Sequence, residues 1–160
     1  MEKQPVEFLG RRITSLLAES RRRLGDYLGA DIDNLVYTQN VTMSLNLIAR
    51  SLELGAGDEV LTTNHEYGAI DRTWKFLAKE HGFTYINQPI STPIISKEKM
   101  IEEFIAGVTS RTRVICISHI TSPTAIILPV EEIVQRARER NIITIVDGAH
   151  APGQIPLHLD

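Results

Sequence analysis

With a single cysteine, Cys116, in 160 residues, the chain can form no internal disulfide, and nothing in it points to an oxidising compartment. No apolar run approaches the ~20 residues that span a bilayer. Met1–Gly10 lacks the apolar core of a secretory leader. The expectation is a cytoplasmic protein with no membrane contact. An excess of positive charge is also missing: a net charge of −3 gives no electrostatic reason to bind nucleic acid. The glycine-rich loops G-x-G-x-x-G and G-x-x-x-x-G-K-[ST] are both absent, and so is the zinc signature H-E-x-x-H. There is no internal repeat, low-complexity tract or linker. What remains is 42% hydrophobic and 23% charged, an ordinary balance for a globular chain able to bury a core.

Hydrophobic spacing divides the chain into alternating elements. Leu9, Ile13, Leu16, Leu17, Leu24 and Leu28 recur at three- and four-residue steps, which predicts an amphipathic helix over 5–29 closed by Gly29. From there to residue 160 the pattern alternates. Strands are expected at 35–38, 59–63, 83–87, 113–118 and 142–146. Helices are expected at about 42–52, 67–81, 97–105 and 130–140, with Pro129 suited to a first helical position. The run Ile142–Val146 has the composition of a strand buried on both faces. Strands separated by helices of this size imply parallel crossovers, so the expected fold class is α/β: a three-layer α/β/α sandwich with a mostly parallel sheet.

In such a sheet the ligand site lies beyond the carboxyl ends of the strands. Four polar groups follow the expected strand ends: Asn40 and Thr42; His65 and Glu66; His119, Thr121 and Ser122; Asp147 and His150. Asn40, Val41, Thr42 and Ser44 mark a helix start, whose unpaired N–H groups suit a phosphate, although Asn40 or Thr42 could simply cap the helix. Two chemistries fit. A phosphorylated nitrogen-bearing ring could rest its phosphate near Thr42, its face on His65 and its ring nitrogen on Asp147, which would keep it protonated as an electron sink. Alternatively His65, His119, Asp147 and His150 could ligate a metal, with Glu66 as general base. Cys116 falls inside a strand and reads as a packed, inert thiol.

The stretches N-V-T-M-S-L-N, T-N-H-E-Y-G-A-I, I-S-H-I-T-S-P-T-A and V-D-G-A-H-A-P-G-Q, in this order, resemble the class V aminotransferase family of pyridoxal-phosphate enzymes, and within it the isopenicillin N epimerase-like branch. The likeness runs from about Pro5 to Asp160. It implies a fold-type-I pyridoxal-phosphate transferase large domain, here partial over 1–160, and a homodimeric complete enzyme acting on an amino acid. It also implies roles for residues. Thr42, with the backbone of Asn40 and Val41, would hold the cofactor phosphate. His65 would stack on the ring. Ser122 or Thr121 would sit near the ring hydroxyl. Asp147 would pair with the ring nitrogen, and His150 would lie beside the reacting end, making His65 and His150 the catalytic candidates.

The departures are specific. The family attaches its cofactor through a lysine one strand beyond the D-G-A-H stretch, and none of Lys3, Lys75, Lys79, Lys97 and Lys99 matches it. The family's small C-terminal domain has no counterpart in these residues. The resemblance also implies that the sheet partners of 35–38 lie in later strands outside this sequence. The expected function is therefore that of a piece of an enzyme acting at the Cα of an amino acid, aminotransferase- or epimerase-like. The alternatives are a non-catalytic module that binds a partner or a phosphorylated ligand, and a metal-dependent hydrolase. Cysteine desulfurase chemistry, which needs a mobile nucleophilic cysteine, is not expected of Cys116.

Overall fold

Four short runs rich in β-branched residues, Glu59–Thr63 (β1), Thr84–Gln88 (β2), Thr112–Ser118 (β3) and Ile143–Asp147 (β4), pair in the order β2-β1-β3-β4, and every pairing is parallel. The computed structural model describes residues 3–159; Met1, Glu2 and Asp160, the ends of the expected 1–160 domain, lie outside the described residues. These fall into two compact units, one of residues up to Tyr37 together with the segment from Ile155 onward, the other Thr38–Gln154.

In the larger unit the two-residue period of the strands sends alternate side chains to opposite faces. Leu61, Ile115 and Ile117 face a core completed by Met100 and Phe104 of α5 (Lys97–Ile105) and Ile133 and Ala137 of α6 (Val130–Arg138). Val60, Val114, Cys116 and Ile145 face the opposite core with Leu45 and Ala49 of α3 (Val41–Ser51) and Ile70, Trp74 and Leu77 of α4 (Gly68–His81). The result is the expected three-layer α/β/α sandwich with a parallel sheet. Trp74 is 1% exposed and meets Phe83 edge-on. Truncating a buried residue of that size to alanine typically costs about 3–5 kcal/mol, so the placement of α4 is firmly held. At the amino ends of the strands the buried Glu59 is met by Arg111, Thr109 and Thr112, which satisfies its charge.

The smaller unit carries a continuous helical run: α1 (Pro5–Glu7), a π-helical stretch Phe8–Arg12 and α2 (Ile13–Leu28). Gly29 ends it in the left-handed conformation (φ 60°), and a Cβ there would meet the His158 ring at 2.5 Å. Only Gly25 and Leu28 of α2 are buried, whereas Leu9, Leu16 and Leu17 are about half exposed, so most of the expected apolar face is open.

Three further expectations are corrected. Residues 35–38 are not a strand: an extended segment becomes one only where a neighbour takes its hydrogen bonds, and among the described residues none does. β4 is not buried on both faces. It lies at the edge of the described sheet, with Ile143 49% and Val146 36% exposed. Pro129 stands at the N-cap of α6 rather than inside its first turn.

Candidate functional site

Three parallel elements end side by side, and the chain leaves each one toward the same edge. There a cavity of about 320 Å³ opens, within the range of small-molecule sites. Val41 and Thr42 at the start of α3 form one wall, and Tyr67, just before α4, another. Ser118, Ile120 and Ser122 come from the end of β3 and the turn after it. Asp147, Ala149 and His150 come from the end of β4.

The α3 wall offers donors. Asn40 caps the helix, its side chain accepting the Met43 N–H at 2.9 Å and its carbonyl the Ser44 N–H at 3.1 Å. The amides of Val41 and Thr42, the first two of the helix, have no acceptor within it. Asn46 ties this turn down by donating to the Thr42 carbonyl at 3.0 Å and to Thr73 of α4 at 3.1 Å. The β4 end of the lining offers an acceptor. Asp147 is buried, its Oδ1 accepts the Ala149 N–H at 3.0 Å, and its Oδ2 accepts no hydrogen bond from the described residues. Its backbone carbonyl takes the His119 N–H at 2.8 Å, which holds the two strand ends together.

Of the residues expected from the sequence, Val41, Thr42, Ser122, Asp147 and His150 line this cavity and Asn40, Thr121 and His65 do not. Asn40 is used up as the cap. Thr121 is buried in its own turn, bonded to Thr124 and Ile126. His65 stands apart from this lining. It is 8% exposed, and its ring lies between the Ile90 carbonyl (3.4 Å) and the Thr124 hydroxyl (3.2 Å). The chain turns after β1, and that turn directs His65 inward; two residues later the aromatic Tyr67 reaches the cavity wall.

Ser118, like Tyr67, lines the cavity without having been expected there, and Glu66, expected as a strand-end group and general base, bonds to it. Glu66 accepts four contacts, from the Thr63 hydroxyl (2.6 Å) and amide (3.4 Å) and from the Ser118 amide (3.0 Å) and hydroxyl (2.8 Å). Burial pushes its carboxyl above the usual range, against the pull of those donors. Among the described residues no three His, Cys, Asp or Glu side chains gather as a metal site would require, so the set His65, His119, Asp147 and His150 is not brought together. Burial likewise lowers the His119 imidazole. Cys116 is 1% exposed, and burial pushes its thiol up to about 12.

The family model "Aminotransferase class-V" matches residues 4–160. The chain belongs to the class V aminotransferase family. Within it, the isopenicillin N epimerase of Amycolatopsis lactamdurans is 36% identical over 159 residues, covering 97% of this chain and 40% of that enzyme. A cystine C-S lyase, C-DES, solved with its product cysteine persulfide, superimposes with a TM-score of 0.85 at 27% identity, over 93% of this chain and 40% of the lyase. A variant of that lyase with glycine covalently linked to its pyridoxal-phosphate cofactor gives 0.82 at 26% identity, again over 93% and 40%. The cofactor of the class V family is pyridoxal phosphate. The chain thus spans about two-fifths of the length of these relatives. Among the described residues no helix is long and apolar enough to cross a membrane.

Proposed function

We propose that this chain is the cofactor-holding part of a pyridoxal-phosphate enzyme that acts at the Cα of an amino acid, with an aminotransferase- or epimerase-like outcome. The observation that carries the reading is the pairing of two unlike walls in one cavity: free helix N-terminal amides at Val41 and Thr42, and the open Oδ2 of Asp147. An anion suits the first and a protonated ring nitrogen the second. The residues present therefore fit the cofactor.

Bound there, pyridoxal phosphate would supply an electron sink for the carbanion at Cα. The chain's own residues do the rest. The Val41 and Thr42 amides and the Thr42 hydroxyl bind the phosphate. Asp147 holds the proton on the ring nitrogen. The ring of Tyr67, rather than that of His65, covers one face and sheds water from it. Ser122 orients the ring hydroxyl, and His150 stands beside the reacting end to hold or move a proton. A cytoplasmic location, a small amino-acid substrate and a homodimeric complete enzyme belong to the same reading. The epimerase relative favours epimerisation, and the buried thiol of Cys116 disfavours sulfur transfer from this chain.

One observation supports a second reading. None of the five lysines lines the cavity, so these residues alone would hold the cofactor without bonding to it. That is the behaviour of a non-catalytic module for a phosphorylated ligand. Titrating the chain with pyridoxal phosphate and following its absorbance tests the shared core of both readings. Saturable uptake that weakens on replacing Asp147 is expected; no uptake by the unaltered chain would overturn them. Borohydride trapping of the full-length enzyme then separates the two, because only a protein that brings a reacting lysine to this cavity becomes permanently labelled there.

A further inference from the structure

The carboxylate of Glu66 does not line the cavity but takes a hydrogen bond from Ser118, which does. It bridges the carboxyl ends of two neighbouring strands, Thr63 of β1 and Ser118 of β3. Ser118 in turn is the register partner of Asp147 in the parallel pairing of β3 with β4, so both side chains project to the same face, and both line the cavity.

The hydrogen-bond inventory decides what Ser118 can present. A serine hydroxyl has one proton and two lone pairs. The proton of Ser118 is taken by Glu66 at 2.8 Å, and the Ser118 amide by the same oxygen at 3.0 Å. Only lone pairs are left to face the cavity. Thr63 is ordered in the same way: its hydroxyl donates to Glu66 and accepts the His65 N–H at 3.1 Å.

We propose that Glu66 is a positioning residue: it clamps the ends of β1 and β3 and turns the Ser118 hydroxyl into a pure acceptor beside Asp147, so that this part of the cavity selects a ligand group rich in N–H or O–H donors. The proposal deepens the ring-binding reading of the cavity and rests on it for the identity of the ligand. A wall with two adjacent acceptors, one charged and one neutral, favours a protonated ring nitrogen and disfavours a ring whose edge carries only acceptors, because like groups left facing each other out of water are costly.

The test uses the ¹⁵N-labelled chain and two readouts. The first is the amide exchange of Ser118 and Thr63. Glu66→Ala should speed exchange of the Ser118 amide about tenfold or more, since the hydrogen bond from that amide to the carboxyl oxygen is lost. Glu66→Gln retains one acceptor oxygen and should release only one of the two strand ends, and it serves where the alanine variant fails to fold. An unmoved Ser118 amide in both variants would overturn the clamp. The second readout is the Kd for pyridoxal phosphate. Replacing Glu66 should weaken binding about tenfold when Ser118 is present, and by less than about twofold in a Ser118→Ala background. Equal weakening in both backgrounds would mean that Glu66 acts on the fold and not through Ser118, which overturns the proposal. Should the unaltered chain take up no pyridoxal phosphate, the ring-binding reading falls, and the amide exchange still decides the clamp.

Discussion

Ser118 and Asp147 are register partners at the carboxyl ends of β3 and β4, and both open onto one cavity whose lining includes Val41 and Thr42 of the first turn of α3. The cavity thus joins a carboxylate and the first-turn amides of a helix in the lining of one small-molecule-sized space.

Asp147→Ala should weaken pyridoxal phosphate binding by about 1.5–3 kcal/mol, the usual worth of a hydrogen bond to a charged group. Asp147→Asn, which keeps the shape and removes the charge, should fall between the two. Absorbance titration measures both, and an unchanged Kd in the alanine variant would remove Asp147 from the site.

Asn40 and Thr42 should separate stability from binding. Asn40 supplies the cap of α3, so Asn40→Ala should cost about 1 kcal/mol of stability, read as a lowered Tm. Thr42→Ala leaves the cap in place and should weaken the ligand's phosphate by about 0.5–1.5 kcal/mol with little change in Tm. Competition by inorganic phosphate reports that arm directly.

Tyr67 and His65 should behave in opposite ways. Tyr67→Ala removes a ring from the cavity wall and should cost about 0.5–1.5 kcal/mol of ligand affinity. His65→Ala leaves a buried gap between Ile90 and Thr124 and should lower the Tm by more than it changes affinity. The reverse pattern would restore His65 to the ring face.

Glu66 gives a pH dependence of defined sign. Its donors, Thr63 and Ser118, are neutral, and burial raises its folded carboxyl above the ordinary 4.5. The folded chain then holds the proton more tightly than the unfolded one. Its contribution to stability is therefore full below the unfolded value and is lost as pH rises through the folded value. Denaturant melts of the native chain and of Glu66→Gln, compared across that window, should show this decline in the first and not in the second.

Cys116 should resist modification. A thiol held near 12 and 1% exposed has almost no thiolate at neutral pH. A colorimetric disulfide reagent should react slowly with the native chain and fully once it is unfolded; fast labelling of the native chain would contradict its place in the core.

Much of this molecule was determined by local sequence. The helices at 68–81, 97–105 and 130–138 and all four strands follow from runs and periods read within a dozen residues, because the spacing of apolar side chains reports which face must leave water. Asp147 and Thr42 were legible for a similar reason: each stands where an element begins or ends, and a parallel sheet brings such ends to one edge.

Only the tertiary structure decided which neighbours reach the cavity. His65 and Tyr67 share one turn, and their burial is set by how that turn leaves β1 and meets Ile90 and Thr124, residues distant in sequence. Glu66 reads from the sequence as a strand-end carboxylate and candidate general base until β3 pairs beside β1 and brings Ser118 to it, 52 residues on. Residues 35–38 have the composition of a strand and form none, because a strand's hydrogen bonds belong to its neighbour and no sequence period records whether that neighbour is there.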